Sequence, residues 1–265
     1  MLIMLMVTAV VAAARGLWSP CGLSMLSSLN PVSERSRGHR FWVTACWYTL
    51  GAVLGGALLG GAGALGALGV RTLGLSGNAT WALALAAAVA AALSDGRVGG
   101  WSLPTHPRQV DDRWLLRYRR WIYAGGYGVQ IGAGFTTYIM TAGVYLVAAL
   151  AVLTGRPEQA LIGGVLFGLV RGLGIAVVSV ARDADQLRRL MARVDAWTEA
   201  SAVVAGAACV SVAAVAAGQL VGGADAPARA VGVALAVAAA LLVPLLHTAT
   251  KAGAFHAQWR GLPRH

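Results

Sequence analysis

At the start of the chain, an apolar run that begins at Met1 contains the stretch Gly16-Leu17-Trp18-Ser19-Pro20-Cys21-Gly22-Leu23-Ser24-Met25-Leu26-Ser27-Ser28-Leu29. Pro20 lacks a backbone donor and clashes with the carbonyl group four residues earlier, so we expect a helix to break or kink there. Inside lipid, a broken helix is tolerated only where protein or a water-filled cavity satisfies the freed backbone groups. The bend, with Cys21 and its serines, is therefore a candidate site. The alternative is a proline kink packed against small residues.

The composition indicates a protein with several membrane spans. Of the 265 residues, 58% are hydrophobic and only 12% are charged, whereas soluble domains carry about 25% charged residues. The net charge of +11 comes from basic residues that fall between apolar runs, which argues against nucleic acid as a partner. The three cysteines form neither a disulfide framework nor a zinc spacing, and the sequence suggests no metal and no cofactor. We interpret the first apolar run as a retained span and not as a cleaved signal.

Seven spans are predicted, at about 2–28, 41–66, 79–94, 122–151, 158–181, 199–221 and 230–250. Sixteen basic residues fall in alternate loops and the tail: Arg35, Arg37, Arg40, Arg97, Arg108, Arg113, Arg117, Arg119, Arg120, Arg182, Arg188, Arg189, Arg193, Lys251, Arg260 and Arg264. The other loops hold only Arg71, Arg156 and Arg229. The positive-inside rule therefore predicts an outer N-terminus and a cytoplasmic C-terminus. The alanine- and arginine-rich composition suggests the cytoplasmic (inner) membrane of a bacterium.

The cytoplasmic segment 111–121, from Asp111 to Trp121, reads DDRWLLRYRRW. Trp114, Tyr118 and Trp121 recur at helical spacing with arginines between them. Such a helix is expected to lie in the headgroup layer, with its guanidinium groups toward anionic lipid. The alternative is a docking surface for a soluble partner. A second cytoplasmic helix, near 185–199, is interpreted as a solvated connector.

An internal repeat is suggested at an offset of 112 residues, where Gly16 aligns with Gly128 and Gly22 with Gly134. The next span of each half carries a GxxxG ridge, at 51–55 and at 168–172. Three spans separate the two copies, so the second copy would enter the membrane from the opposite side. These features predict an all-α, single integral membrane domain over 1–265. It would comprise a three-plus-three inverted repeat (about 1–100 and 122–221) and one extra helix at about 230–250.

Ser19-Pro20-Cys21, followed by a basic loop and an aromatic-rich GxxxG span, resembles the transmembrane domain of the cytochrome c biogenesis and thiol-disulfide interchange proteins (DsbD/CcdA type, LysE-like superfamily). The resemblance covers about residues 1–220. It implies that Cys21 pairs with a cysteine of the fourth span, and that a thioredoxin-like protein is a partner. The second half has Gly132-Ala133-Gly134 at that position, so a thiol-disulfide cycle would need Cys46 or Cys209 instead.

Two arginines are expected deep in apolar spans, Arg15 in the first and Arg171 in the fifth. Such a charge is costly in lipid and normally faces a partner or a wet cavity. The sequence places no acidic residue near mid-span, so carbonyl groups, water or an anionic ligand remain as partners. For Arg15 a structural role at the break is the alternative. The predicted binding residues are Arg15, Arg171, Ser19, Pro20, Ser24, Gln130, Gly132, Gly134, Thr136 and Thr137.

These features suggest a small carrier, rather than an enzyme, that moves a small polar or anionic solute by rocking two repeats about Pro20 and Gly132-Ala133-Gly134. The resemblance suggests instead a transmembrane thiol-disulfide electron relay for extracytoplasmic protein or cytochrome c maturation, with Cys21 as its catalytic residue. A third alternative is a non-transporting membrane assembly subunit that holds a partner with its basic 111–121 helix.

Overall fold

The computed structural model describes residues 1–96, 102–104 and 113–222. Every regular element in those ranges is helical: α1 Leu2–Arg15, α2 Pro20–Ser28, α3 Pro31–Ser36, α4 Phe41–Thr72, α5 Gly77–Asp95, α6 Trp114–Arg117, α7 Arg120–Gly132, α8 Gly143–Leu153, α9 Pro157–Leu173, α10 Ala184–Ala196 and α11 Thr198–Val221. Short 3-10 helices follow α1 (Gly16–Trp18) and α9 (Gly174–Val180). The described part of this membrane protein is therefore all-α.

Four helical segments are long and apolar enough to cross a membrane, namely α4, α5, α9 with its 3-10 extension, and α11. The first predicted span is a bent pair, because α1 with its 3-10 turn meets α2 at 66°. The break expected at Pro20 is thus confirmed. Counted as one span, this pair brings the total in the described residues to five. The seventh predicted span, 230–250, lies outside those residues.

The fourth predicted span, 122–151, is wrong as a single helix. It consists of α7 and α8, with residues 133–142 non-helical between them. Gly134 has a φ of +74°, a left-handed conformation that glycine adopts at little cost. The proposed alignment of the two halves also differs from the structure, because Gly128, aligned with Gly16 in the first break, lies inside α7.

The non-helical segment 133–142 is a second break, after the one at Pro20, and Asp95 at the end of α5 forms hydrogen bonds with it. The Asp95 carboxylate accepts a hydrogen bond from the backbone N–H of Ala142, at 2.6 Å, and another from the hydroxyl of Thr141. The Thr141 hydroxyl oxygen in turn accepts the N–H of Gly143, at 3.1 Å. A carboxylate from another helix therefore satisfies the backbone at the start of α8, where negative charge is favoured.

The segment 111–121 does not form the single interfacial helix predicted from its spacing. Within its described part, α6 is one turn, the backbone is extended at Tyr118 and Arg119, and Trp121 belongs to α7. Trp114 turns inward and stacks on Tyr127, with ring centroids 5.8 Å apart. Trp121 is exposed, so these aromatic residues do not share one helical face.

Helix α4 lies at the centre of the bundle and touches α7 and α9 at the level of the backbone. A Cβ atom on Gly51 would come within 2.1 Å of the Gly125 carbonyl oxygen of α7. One on Gly56 would come within 2.3 Å of the Gly164 carbonyl oxygen of α9. Small residues allow this approach between membrane helices. The predicted ridges at 51–55 and 168–172 lie in these interfaces.

The side of α4 away from α7 and α9 exposes large apolar residues. Leu50, Leu54, Leu58 and Leu65 lie at helical spacing and are each at least half exposed. An apolar stripe of this kind is typical of a surface that faces lipid. The connector helix predicted near 185–199 is α10, of which no residue is buried.

We expect Gly56→Ala to lower the free energy of unfolding by about 1–3 kcal/mol, because the new methyl group would push α4 away from α9. Gly61→Ala is the matched control on the same helix, since a Cβ there meets no atom within 4 Å. The control should be neutral or stabilising by up to about 1 kcal/mol. Denaturant unfolding in detergent measures both, and equal stability of the two variants would contradict the packing described.

We expect Asp95→Ala to lower the free energy of unfolding by about 2–4 kcal/mol, because it removes two charge-assisted hydrogen bonds and leaves the Ala142 N–H without its acceptor. The control is Asp185→Ala, which removes an exposed carboxylate paired with Arg188 and should change stability by at most about 1 kcal/mol. Hydrogen exchange of the amides at 141–144 should accelerate in the first variant alone. Unchanged exchange there would argue against the carboxylate as the cap of α8.

Candidate functional site

The break in the first span is built by Ser19. Its backbone is extended and its side chain is fully buried. The Ser19 hydroxyl donates to the Gly16 carbonyl oxygen at 2.7 Å, and the hydroxyl oxygen accepts the N–H of Gly22 at 3.0 Å. Pro20 occupies the first position of α2, where its missing N–H would have no helical acceptor in any case. Ser19 thus satisfies the polar backbone groups that the break frees.

Arg171 of α9 lies against this break. Its side chain is only 4% exposed, and its Cζ and Nη2 atoms come within 2.7 Å of the position that a Cβ on Gly16 would occupy. The guanidinium also lies over the ring of Phe167, 5.6 Å from its centroid. Only a residue without a side chain leaves it room here. The sequence predicts Arg171 deep in the fifth span, and its side chain is buried in α9.

The hydrogen bonds of the Arg171 guanidinium are incomplete among the described residues. Its Nη2 atom is buried and has no hydrogen-bond acceptor among the described residues. Its electrostatic neighbours are Tyr48 of α4 and Cys21 of α2, a phenol and a thiol. No ion pair in the described part of the chain includes Arg171. A guanidinium that is desolvated without a carboxylate is costly unless something else compensates its charge.

Arg15 occupies a different environment. It is 7% exposed, and its Nη1 donates to the hydroxyl of Ser201 in α11 at 2.7 Å. It lines a polar cavity of about 840 Å³ together with Asp95 and Glu199, which act on it electrostatically. The sequence places no acidic residue near mid-span; in the structure two carboxylates act on Arg15, although no ion pair joins them to it among the described residues. Both carboxylates are at helix ends in the sequence, and folding brings those ends beside the end of α1.

The remaining predicted binding residues do not converge on one site. Thr136 donates to the Gln130 carbonyl oxygen within the second break. Gly132 lies against the backbone of α4, where a Cβ would be 2.0 Å from the Ala52 carbonyl oxygen. Ser24 is half-buried, and its carbonyl oxygen accepts the Ser27 hydroxyl. The Thr137 hydroxyl is buried and has no partner among the described residues. The cavity lined by Arg15 includes neither Cys21 nor Arg171.

The cysteines do not form a redox pair in this fold. Cys21 and Cys209 are buried in two separate apolar clusters, one around α2 and the start of α4, the other around α1, α8 and α11. Cys46 is exposed on α4. No disulfide joins any of the three. Because Cys21 and Cys209 belong to different clusters and Cys46 is exposed, this arrangement does not provide the paired sulfurs that a thiol-disulfide cycle needs.

Sequence reasoning missed a buried carboxylate in the first basic loop. Glu34 of α3 is fully buried and accepts hydrogen bonds from Arg37 at 2.9 Å, from the hydroxyl of Tyr123 at 3.3 Å, and from the hydroxyl of Thr44. His39 lies 3.6 Å from the same carboxylate. This cluster ties α3 to the starts of α4 and α7. The signal in the sequence was Asn30-Pro31, a helix start with Glu34 in its first turn.

No protein-family profile and no solved structure matches the chain. Curated relatives do. A protein of Paracoccus versutus is 35% identical over 60% of this chain and 59% of its own length. One of Paracoccus denitrificans is 32% identical over 63% and 61%, and one of Methylophilus methylotrophus is 28% identical over 78% and 72%. Each is named methylamine utilization protein MauF.

These relatives overturn the DsbD/CcdA resemblance. They carry the MauF name and not that of thiol-disulfide interchange, cytochrome c assembly or transport proteins. The solute carrier and the thiol relay suggested by the sequence are therefore wrong. The resemblance rested on one short motif, Ser19-Pro20-Cys21, which here serves to cap a helix. The chain spans about three fifths of the length of the first two curated relatives, and its sequence is similar to that of MauF proteins.

Proposed function

We propose that this chain is a membrane-embedded accessory protein of methylamine utilization. The observation that carries the proposal is the similarity, at 28–35% identity, to MauF proteins of five bacteria that all have the same name. The glycine-packed bundle and the lipid-facing leucines of α4 support the membrane location. The proposal concerns the process that the chain serves and does not make it a carrier of solute.

Deleting the coding sequence of this chain in its own host is expected to abolish growth on methylamine and to leave growth on succinate unchanged. A plasmid copy should restore growth on methylamine, as should a copy of the Paracoccus denitrificans relative. A plasmid that carries the Gly56→Leu variant serves as the negative control, because a bulky side chain cannot fit between α4 and α9. Equal growth on methylamine with and without the chain would contradict the proposal.

We further propose a bacterial cytoplasmic-membrane topology of seven spans, with the N-terminus outside and the C-terminus inside. The arginine distribution supports this orientation. The exposed Trp42 and Trp121 also support it. Both lie near arginines at helix starts that would reach the cytoplasmic interface, where the arginines would meet anionic lipid.

We also propose that the two interrupted helices, α1–α2 and α7–α8, are equivalent elements of an inverted repeat. Their residues would align differently from the 112-residue offset suggested by the sequence.

In a Cys46→Ala background, we expect Arg71→Cys to react with a membrane-impermeant maleimide on intact cells and Arg182→Cys to remain unlabelled. Arg71 and Arg182 are both exposed, so access to the side chain is matched and the membrane side decides the result. Cys21 and Cys209 are buried and should contribute little background. Permeabilised cells should label both positions, and the reverse pattern on intact cells would contradict the orientation.

A further inference from the structure

We propose that Arg171, beside the start of α2, binds a resident small monovalent anion, of the chloride, bromide or formate class. The site lies where the first span breaks, between α2, α4 and α9. The anion would be a structural ligand of the folded bundle. This inference does not depend on the role of the chain in methylamine utilization.

The first support is the charge balance around Arg171. The guanidinium is almost fully buried, and its electrostatic neighbours, Tyr48 and Cys21, carry no carboxylate. The contrast with Arg15 is direct, because that equally buried arginine has Asp95 and Glu199 beside it and a hydroxyl at 2.7 Å. Arg15 therefore has two carboxylates among its electrostatic neighbours, whereas Arg171 has none among the described residues, and a bound anion would supply the missing negative charge.

The second support is the direction of the orphaned donor. The Nη2 atom lies in the break beside Gly16, and no described residue accepts its hydrogen bond. Helix α2 begins four residues later, and its second residue, Cys21, is an electrostatic neighbour of the same guanidinium. A helix start carries partial positive charge and is favourable for anions. The orphaned Nη2 thus lies close to a helix start, where the partial positive charge adds to that of the guanidinium.

The surroundings restrict the size and the charge of the ligand. Phe167 covers one face of the guanidinium, and Gly16 and Tyr48 belong to the buried interior. Because Nη2 is the guanidinium nitrogen left without an acceptor among the described residues, we place the anion at that edge. A single guanidinium with a helix start balances one negative charge, so a monovalent ion fits better than sulfate or a phosphate ester.

The test compares thermal unfolding of the purified full chain in sodium chloride, sodium bromide and sodium gluconate at equal ionic strength. We expect the halides to raise the unfolding temperature by about 3 °C or more over gluconate, in a saturable manner, because a ligand bound only to the folded state stabilises it. Arg171→Met should lose the halide response. Arg15→Met is the matched control, another buried arginine, and should keep it.

A second measurement needs no variant. Anomalous diffraction from crystals grown in bromide should show a peak within hydrogen-bond distance of Arg171 Nη2. If Arg171→Met does not fold, this diffraction experiment alone decides whether an anion binds there. Equal unfolding temperatures in halide and gluconate, a halide response that survives in Arg171→Met, or bromide bound only elsewhere would overturn the proposal. None of these results bears on growth on methylamine, so the two proposals can fail separately.

Discussion

The structure depends on the approach of α4 to α7 and α9 at backbone distance. In lipid there is little hydrophobic gain from bringing two apolar helices together, so close van der Waals packing must hold them. Gly51, Gly56, Gly164 and Gly168 provide it, since a Cβ on any of them would come within 2.4 Å of a carbonyl oxygen or backbone atom of the facing helix. The outward leucines of α4 remain available to lipid, and the interior is organised around a helix with two glycine faces.

Inside this glycine-packed bundle, the two interrupted helices expose backbone N–H and C=O groups that need hydrogen-bond partners. Each interruption frees backbone groups that lipid cannot satisfy, and each is capped in a different way. Ser19 caps α2 from within its own segment, whereas Asp95 reaches from α5 to cap α8. The first arrangement is local in sequence, and the second links residues that are 47 positions apart. The second break has neither a proline nor a local cap, so its backbone relies on this distant carboxylate.

The two buried arginines lie on either side of the first break and have opposite surroundings. Arg15 lines a polar cavity with two carboxylates, whereas Arg171 lies buried beside Gly16 with no carboxylate among its neighbours in the described residues. Arg15 and Gly16 are adjacent in the chain, so a short turn separates these two charge environments. The Ser-Pro-Cys motif lies between these environments. Its role in this fold is to hold the turn, which explains how a redox-like motif can occur without a redox partner.

The sequence by itself determined the membrane class, the break at Pro20, the glycine ridges and the burial of Arg15 and Arg171, because apolar run length, proline geometry and residue size act locally. It did not determine the split of the fourth span, the inward turn of Trp114, the burial of Glu34 or the carboxylates beside Arg15. Each of these depends on groups far apart in the chain, such as Asp95 with Ala142 or Glu34 with Tyr123. Only the tertiary structure decided them, because the energy of a buried charge or an interrupted helix is set by the neighbours that folding brings to it.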